Sequence, residues 1–273
     1  MKIKVLKFGG TSVGSIEAIK RSADIIHDWS KKSKVIAVLS AMSGETDRLI
    51  NLTKSFSKNP NPIDFDNAIS SGENVSCALM SICLNNQKIK AKSLLSWQIP
   101  IITSSEHMKS RILSINKKFL YDELENFEVL LIPGFQGINN KGELTTLGRG
   151  GSDTSAVAVA AAMETECIIY TDVEGVFTTD PNIVPKAKKI NKISYEEMLE
   201  LASQGAKVLQ TRSVELAMRK NTKLSVRSSF KPKKIGTMIT DEKSVLENNT
   251  VSGITYSKDE AKITLSRAQD KPG

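Results

Sequence analysis

The chain has 273 residues, of which 40% are hydrophobic, 25% charged and 5% aromatic, and its formal net charge is +8. This length suits one large two-lobed domain or two small ones, and the composition is that of a soluble globular enzyme. Its lysines are scattered and its aromatic residues are few, so we expect no nucleic-acid partner.

The supply of special residues narrows the chemistry further. Two histidines and three cysteines without metal-ligand spacing disfavour a histidine metal site or a Ser-His-Asp triad, and the cysteines are expected to be reduced core thiols. The longest apolar run, residues 156–163, is too short to span a bilayer, and the first residues lack the pattern of a signal peptide. We therefore expect a cytoplasmic protein without a membrane partner.

Strand and helix patterns alternate along the chain. Short apolar runs predict strands over residues 3–8, 34–40, 129–132, 167–170 and 224–227. Helical periodicity predicts a helix with core positions Ile16, Ile19, Ala23 and Ile26, and another after the polar loop 41–47. Further helices are predicted over residues 63–84, 156–165, 194–202 and 206–219. This alternation favours a mostly parallel sheet with helices on both faces, and ligands then lie at the carboxyl ends of the strands.

The C-terminal part differs in character. Residues 241–250 are polar and predict a linker, and residues 251–273 predict the start of a new strand pair that includes A-K-I-T-L. The main domain is therefore expected to occupy residues 1–240.

Residues 148–156 read G-R-G-G-S-D-T-S-A, between a strand-like run and an alanine-rich helix. Glycines let the backbone approach a ligand, and Arg149 is a forked donor for carboxylate or phosphate. The positive end of the helix would face the same loop. Candidate caps for this helix are Ser152, Asp153, Thr154 and Ser155. The segment predicts an anion site.

Four other motifs each have an ordinary alternative. K-F-G-G-T-S, which begins at Lys7, could cradle phosphate or be a simple strand-to-helix turn, and it does not fit a P-loop. Glu73 in S-G-E-N could bind an ammonium group, or be a solvated or capping residue. Residues 170–181, Y-T-D-V-E-G-V-F-T-T-D-P, could contact a nucleotide or only join two strands. Lys207, predicted at a helix start, could bind phosphates or lie on the surface.

The order of the motifs is more specific than any one of them. K-F-G-G-T-S is followed by S-A-M-S-G-E-T-D, S-G-E, G-F-Q-G, T-T-L-G-R-G-G-S-D-T-S, the Y-T-D segment, I-S-Y-E-E-M-L-E-L-A and V-R-S-S-F. In this order they resemble the bacterial aspartate kinases over residues 1–230. The resemblance implies the amino-acid-kinase fold, a three-layer α/β/α sandwich around a mostly parallel sheet, with an N-terminal aspartate-binding lobe and a C-terminal ATP-binding lobe.

The resemblance also implies a reaction. Aspartate kinases use ATP and Mg²⁺ to phosphorylate the β-carboxylate of L-aspartate, giving 4-phospho-L-aspartate and ADP, the first step towards lysine, threonine, methionine and diaminopimelate. The implied catalytic residues are Lys7, Asp153 and Lys207. The implied ATP-binding residues are Lys7, Phe8, Gly9, Gly10, Thr171, Asp172, Phe177, Thr178, Thr179, Asp180, Pro181, Asn182 and Lys207. The implied aspartate-binding residues are Thr46, Glu73, Arg149, Gly150, Gly151 and Ser152. No protein ligand for the metal is assigned.

Two departures from the family pattern leave alternatives open. Asn182 stands where relatives often have arginine. Relatives continue into a pair of regulatory ACT domains, whereas this sequence ends at D-K-P-G, which resembles the opening of the first one. Feedback inhibition, a homodimer and a separate regulatory ACT chain therefore stay open. So do an inactive remnant that acts through a partner and a sister kinase with another acceptor.

Overall fold

A computed structural model describes residues 1–98, 101–205, 208–241 and 253–255. The strands in these ranges are β1 Ile3–Phe8, β2 Lys34–Leu39, β3 Ala91–Ser93, β4 Ile101–Thr103, β5 Ile112–Ile115, β6 Val129–Pro133, β7 Gln136–Ile138, β8 Leu144–Thr146, β9 Cys167–Thr171, β10 Lys192–Ser194, β11 Leu224–Ser228 and β12 Thr237–Thr240. The α-helices are α1 Ile16–Ser30, α2 Glu45–Phe56, α3 Pro62–Ile69, α4 Ser71–Asn86, α5 Lys117–Asn126, α6 Gly151–Ala162, α7 Tyr195–Ser203 and α8 Thr211–Arg219.

The larger sheet has eight strands in the described ranges, in the order β10-β12-β11-β9-β1-β2-β6-β3. All neighbouring pairs are parallel except β11 with β12. The inner strands β1, β2, β6 and β9 are almost wholly buried, as expected for parallel strands covered on both faces. The carboxyl ends of β1, β2, β6, β9 and β11 therefore meet at one edge of the sheet.

Each face of this sheet has its own hydrophobic core. Leu6, Phe8 and Leu39 point to the face covered by α1 and α4. Val5 and Val38 point to the opposite face, which packs against α5, α6, α7 and α8. Side chains alternate between the faces because successive residues of a strand point in opposite directions. The expected three-layer α/β/α sandwich around a mostly parallel sheet is confirmed.

A second, four-stranded sheet was not predicted. Its order is β5-β4-β7-β8, and most of its strands have only three residues. Buried Asp66 of α3 anchors it: the Asp66 carboxylate accepts hydrogen bonds from Thr146 N at 3.1 Å and Thr146 Oγ1 at 2.6 Å. His107 Nδ1 lies 2.8 Å from the same carboxylate. Strands this short leave too little periodicity to be detected.

The helix predicted over residues 63–84 is wrong, because two helices, α3 and α4, meet at Ser70. The carbonyl of Ser70 accepts a hydrogen bond from Gln136 Nε2 at 3.0 Å, and Ser71 Oγ donates to Ala68 O at 2.7 Å. Side chains thus bond to the backbone at the junction, which is how serine often competes with a continuous helix.

The predicted start of the alanine-rich helix is also wrong. α6 begins at Gly151, five residues before the expected Ala156, and its N-cap is Gly150 without a side-chain cap. Gly148 and Gly150 have φ values of +77° and +71°. This left-handed conformation lets the chain turn directly into the helix at Gly151. The four candidate caps therefore lie inside the helix.

Smaller corrections concern other elements. Ile16 was expected in the core but is 66% exposed, since it is the first residue of α1. Residues 208–210 precede α8, whose helix begins at Thr211 and not near residue 206. Of the cysteines expected in the core, Cys77 and Cys167 are buried and Cys83 is half-buried; all three are free.

The predicted linker and new strand pair fall mostly outside the described residues. Residues 253–255, which are described, form no strand. None of the helices in the described part of the chain combines the length and apolar character needed to cross a bilayer.

Candidate active site

The carboxyl end of β1 supplies the first charged pair of the site. Lys7 Nζ lies 2.6 Å from Asp153 Oδ1, and each side chain is only 11% exposed. Asp153 is in the first turn of α6, where the helix dipole favours a carboxylate. Lys7 is therefore held in a mostly desolvated position at the sheet edge. It is in direct contact with Asp153, the predicted catalytic carboxylate.

The loop from Gly148 to Gly150 is tightly packed on its neighbours. A Cβ at Gly150 would lie 2.6 Å from the Cβ of Gln210, and one at Gly151 would lie 2.8 Å from Cδ2 of Phe135. Arg149, between the two left-handed glycines, is exposed and lines the cavity described below. The glycines thus allow the side chains of Gln210 and Phe135 to pack closely against the loop that carries Arg149.

Glu73 is the unusual carboxylate of the site. It lies in the first turn of α4 and is only 3% exposed, so the alternative of a solvated glutamate is wrong. Ala41 N donates to Glu73 Oε1 at 3.1 Å, whereas the buried Oε2 has no hydrogen-bond partner among the described residues. Burial raises the pKa of Glu73 from 4.5 to about 7. An unpaired buried carboxylate oxygen facing a cavity favours a cationic ligand.

These groups surround a cavity of about 410 Å³. It brings together nine of the residues predicted from sequence: Lys7, Gly10, Thr46, Glu73, Arg149, Gly150, Gly151, Ser152 and Asp153. The loop after β2, residues 40–44, forms another wall. The cavity is therefore lined by a buried carboxylate, an exposed guanidinium and the lysine of the Lys7–Asp153 pair.

Of the predicted nucleotide residues, Lys7 and Gly10 line this cavity, whereas Thr171 and Asp172 lie at the same sheet edge and do not line it. Thr171 ends β9, which pairs directly with β1, and its Oγ1 donates to Asp172 Oδ1 at 3.0 Å. Gly9 N donates to the carbonyl of Tyr170 at 3.4 Å, which places the glycine turn beside this strand end. Lys7 lines the cavity, and its strand β1 pairs with β9, which leads to this second region.

The other predicted nucleotide residues have mixed placements. The Phe8 side chain is fully buried and stacks on Tyr170 with ring centroids 5.1 Å apart, so only its backbone could face a ligand. The segment of residues 177–182 is half-buried at first and then exposed, and Asp180 Oδ1 accepts from Asn182 N at 2.8 Å. Lys207 lies outside the described residues.

The comparisons with known proteins agree with this geometry. Residues 2–228 match the amino acid kinase family. The chain belongs to that family. An aspartate kinase of Pseudomonas putida is 48% identical over the whole of this chain, which spans 67% of that relative. The crystal structure of the aspartate kinase from Synechocystis has a TM-score of 0.77 and 41% identity, over 88% of this chain and 40% of that one.

A third relative is Escherichia coli aspartokinase III, whose crystal structure holds aspartate and ADP. It has a TM-score of 0.76 and 28% identity, over 88% of this chain and 65% of that one. Within the amino acid kinases, this chain therefore groups with the aspartate kinases, which are ATP-dependent phosphotransferases. The relatives extend beyond the part that this chain matches.

Sequence reasoning missed several cavity residues. Ser40, Met42, Ser43 and Asp47 lie in the S-A-M-S-G-E-T-D motif, from which only Thr46 was chosen. Phe135 lies in G-F-Q-G, and Gln210 follows three residues after Lys207. For all of them except Gln210, membership of a shared motif was the available signal, but a motif does not say which side chains face a cavity.

Proposed function

We propose that this kinase transfers the γ-phosphoryl group of ATP to the β-carboxylate of L-aspartate, giving 4-phospho-L-aspartate and ADP. The observation that carries the proposal is the cavity that buried Glu73, exposed Arg149 and the Lys7–Asp153 pair line together. A small amino acid with one ammonium and two carboxylates complements this arrangement of charges.

Glu73 and Arg149 would orient the acceptor. Glu73 Oε2, which no described residue contacts by a hydrogen bond, suits the substrate ammonium group, whose charge would replace the solvation that burial removes. Arg149 suits a forked grip on the α-carboxylate. With these two groups fixed, the β-carboxylate would point towards Lys7, which lines the same cavity.

The chemical step needs positioning and charge neutralisation more than proton transfer. An aspartate carboxylate is already ionised at neutral pH, so its oxygen can attack the γ-phosphorus without a general base. A new P–O bond forms to the carboxylate while the bond between the γ-phosphorus and the oxygen bridging to the β-phosphate breaks. Lys7 would stabilise charge on the transferring group, and Asp153 would hold the lysine in place.

The nucleotide would lie beside the acceptor at the ends of β9 and β11. Gly9 and Gly10 follow β1 at the point between the two regions, so their backbone could approach the phosphates. In the described ranges no three His, Cys, Asp or Glu side chains group closely enough to hold a metal ion. Mg²⁺ would therefore be held mainly by phosphate oxygens and water, and would neutralise phosphate charge there.

Trapping the acyl phosphate with hydroxylamine tests the proposal. The purified chain is incubated with ATP, Mg²⁺ and separately with aspartate, glutamate, acetylglutamate or uridine monophosphate, and hydroxamate and ADP are both measured. We expect hydroxamate with aspartate alone. Product with glutamate instead would favour a sister kinase, and no product with any acceptor would favour an inactive, partner-dependent chain.

A further inference from the structure

Arg212, in the first turn of α8, joins two chain segments near the acceptor cavity. Its Nη1 donates to the carbonyl of Leu147 and its Nη2 to the carbonyl of Ser110, both at 2.7 Å. Leu147 and Ser110 are themselves buried. A planar guanidinium can make both bonds at a fixed geometry, whereas the single ammonium group of a lysine cannot reproduce the fork.

The two residues whose carbonyls accept these hydrogen bonds support the loop that carries Arg149. Leu147 directly precedes Gly148, and its own N–H donates to the carbonyl of Phe135 at 2.8 Å. The segment that contains Ser110 packs under the loop, since a Cβ at Gly148 would lie 2.9 Å from the carbonyl oxygen of Met108. Arg212 therefore bonds both to the start of the loop and to the segment that contains Ser110.

Gln210, the N-cap of α8, also contacts the loop. Gln210 is so close to Gly150 that no side chain larger than hydrogen fits there. Gln210 lines the cavity with Arg149, but Arg212 does not. Arg212 therefore does not contact the substrate site directly, and it is linked to the site through the loop of residues 147–150 and through Gln210.

We propose that Arg212 is a positioning residue for aspartate binding, which holds this loop so that Arg149 reaches the substrate α-carboxylate. The inference rests on the proposed function, since it takes aspartate as the acceptor. It adds a residue that lies outside the cavity and that no motif singled out.

The first test compares Arg212→Ala with Arg219→Ala. Arg219 lies on the same helix and is exposed, and its Nη2 lies 3.9 Å from Glu215 Oε2. Replacing it is therefore a control for the removal of one positive charge. We expect Arg212→Ala to raise the KM for aspartate by about tenfold or more, as misplacement of a binding group does. The KM for ATP should stay within about twofold, because the loop faces the acceptor.

A double variant separates positioning from general damage. If Arg212 acts through Arg149, the KM for aspartate in Arg149→Ala/Arg212→Ala should be close to that of Arg149→Ala alone. Arg212→Lys, which keeps the charge and one bond, should give an intermediate KM. If Arg212→Ala does not fold, the double-variant comparison is made with Arg212→Lys.

Three results would overturn the inference. One is an aspartate KM within about twofold of wild type in folded Arg212→Ala. Another is multiplication of the two single effects in the double variant. The third is loss of folded protein in both the alanine and lysine variants, which would assign Arg212 to stability alone. The wild-type protein is assayed alongside, which separates failure of this inference from failure of the proposed function. Only a wild-type protein that does not phosphorylate aspartate would contradict the proposed function.

Discussion

At the scale of single residues, the buried Glu73 is the most informative group in the molecule. Its Oε1 accepts a hydrogen bond from the backbone of Ala41, its buried Oε2 has no hydrogen-bond partner in the part of the chain that the structure describes, and burial raises its pKa to about 7. A protein that keeps a carboxylate in this state gains little stability from it, since an unpaired buried charge is unfavourable. A ligand ammonium group at Oε2 would remove that cost.

The KM for aspartate should therefore depend on pH. Binding of the ammonium group requires ionised Glu73, and below a pKa of about 7 the free protein holds this group protonated. We expect the KM to rise as pH falls from about 8 to about 6, approaching tenfold per pH unit at the acid end. Steady-state kinetics across this range measure it.

The control is Glu73→Gln, which keeps the shape of the side chain and removes its charge. Its KM should be high and nearly independent of pH over the same range. A pH profile shared by both proteins would remove Glu73 from the ammonium site.

Lys7 should contribute mainly to turnover. Removing a charge that stabilises the transferring phosphoryl group costs about 10²- to 10³-fold in kcat in comparable electrostatic sites, and we expect this for Lys7→Ala. Lys4→Ala is the matched control, because Lys4 lies on the same strand and pairs with Glu166 at 2.5 Å, away from the cavity.

Lys7→Ala also leaves Asp153 unpaired in a mostly buried position, which would destabilise the protein. Adding Asp153→Asn removes that charge, so folding stability should recover while kcat stays low. Near-normal turnover in Lys7→Ala, or recovery of turnover in the double variant, would contradict the assigned role.

At the scale of elements, the turn into α6 determines how the acceptor loop is built. Gly148 and Gly150 both have positive φ, and α6 begins directly after them. The glycines and the anion-binding residues of this loop could be predicted from the sequence, because both follow from residue type. It did not show where the helix begins, because that depends on packing against Phe135 and Gln210, which are distant in the chain.

Gly150→Ala should damage both stability and aspartate binding. An alanine there is strained by φ of +71° and also meets the Cβ of Gln210, so we expect a loss of about 3 kcal/mol or more in unfolding free energy. Gly142→Ala is the control, since φ is +79° and nothing lies within 4 Å of the added Cβ.

We expect the Gly142 variant to lose only about 1–2 kcal/mol and to keep its aspartate KM. Urea unfolding and steady-state kinetics measure both quantities. Equal losses in the two variants would show that backbone strain, and not the contact with Gln210, determines the cost.

At the scale of the whole molecule, two regions share one edge of the parallel sheet. The acceptor cavity lies beside the ends of β1 and β2, and the predicted nucleotide residues Thr171 and Asp172 follow β9, which pairs with β1. Parallel strands bring their carboxyl ends together, so this arrangement was predictable from the alternation of buried strands and helices.

The parts of the fold that could not be predicted have a common physical reason. Strands β4, β7 and β8 are too short to show a period, and the break at Ser70 depends on a hydrogen bond from Gln136, far along the chain. The burial of Glu73 and the two bonds of Arg212 are likewise set by tertiary contacts. Local sequence carries no record of such partners.

The central claim is that the β-carboxylate of aspartate is the nucleophile that accepts the phosphoryl group. It is tested most directly with aspartate carrying ¹⁸O in both β-carboxylate oxygens, followed by hydroxylamine, which attacks the carbonyl carbon and releases phosphate. ³¹P NMR should show one ¹⁸O in each released phosphate, since the attacking oxygen stays bonded to phosphorus. Released phosphate without ¹⁸O, or ADP formed at the same rate without aspartate, would contradict the claim.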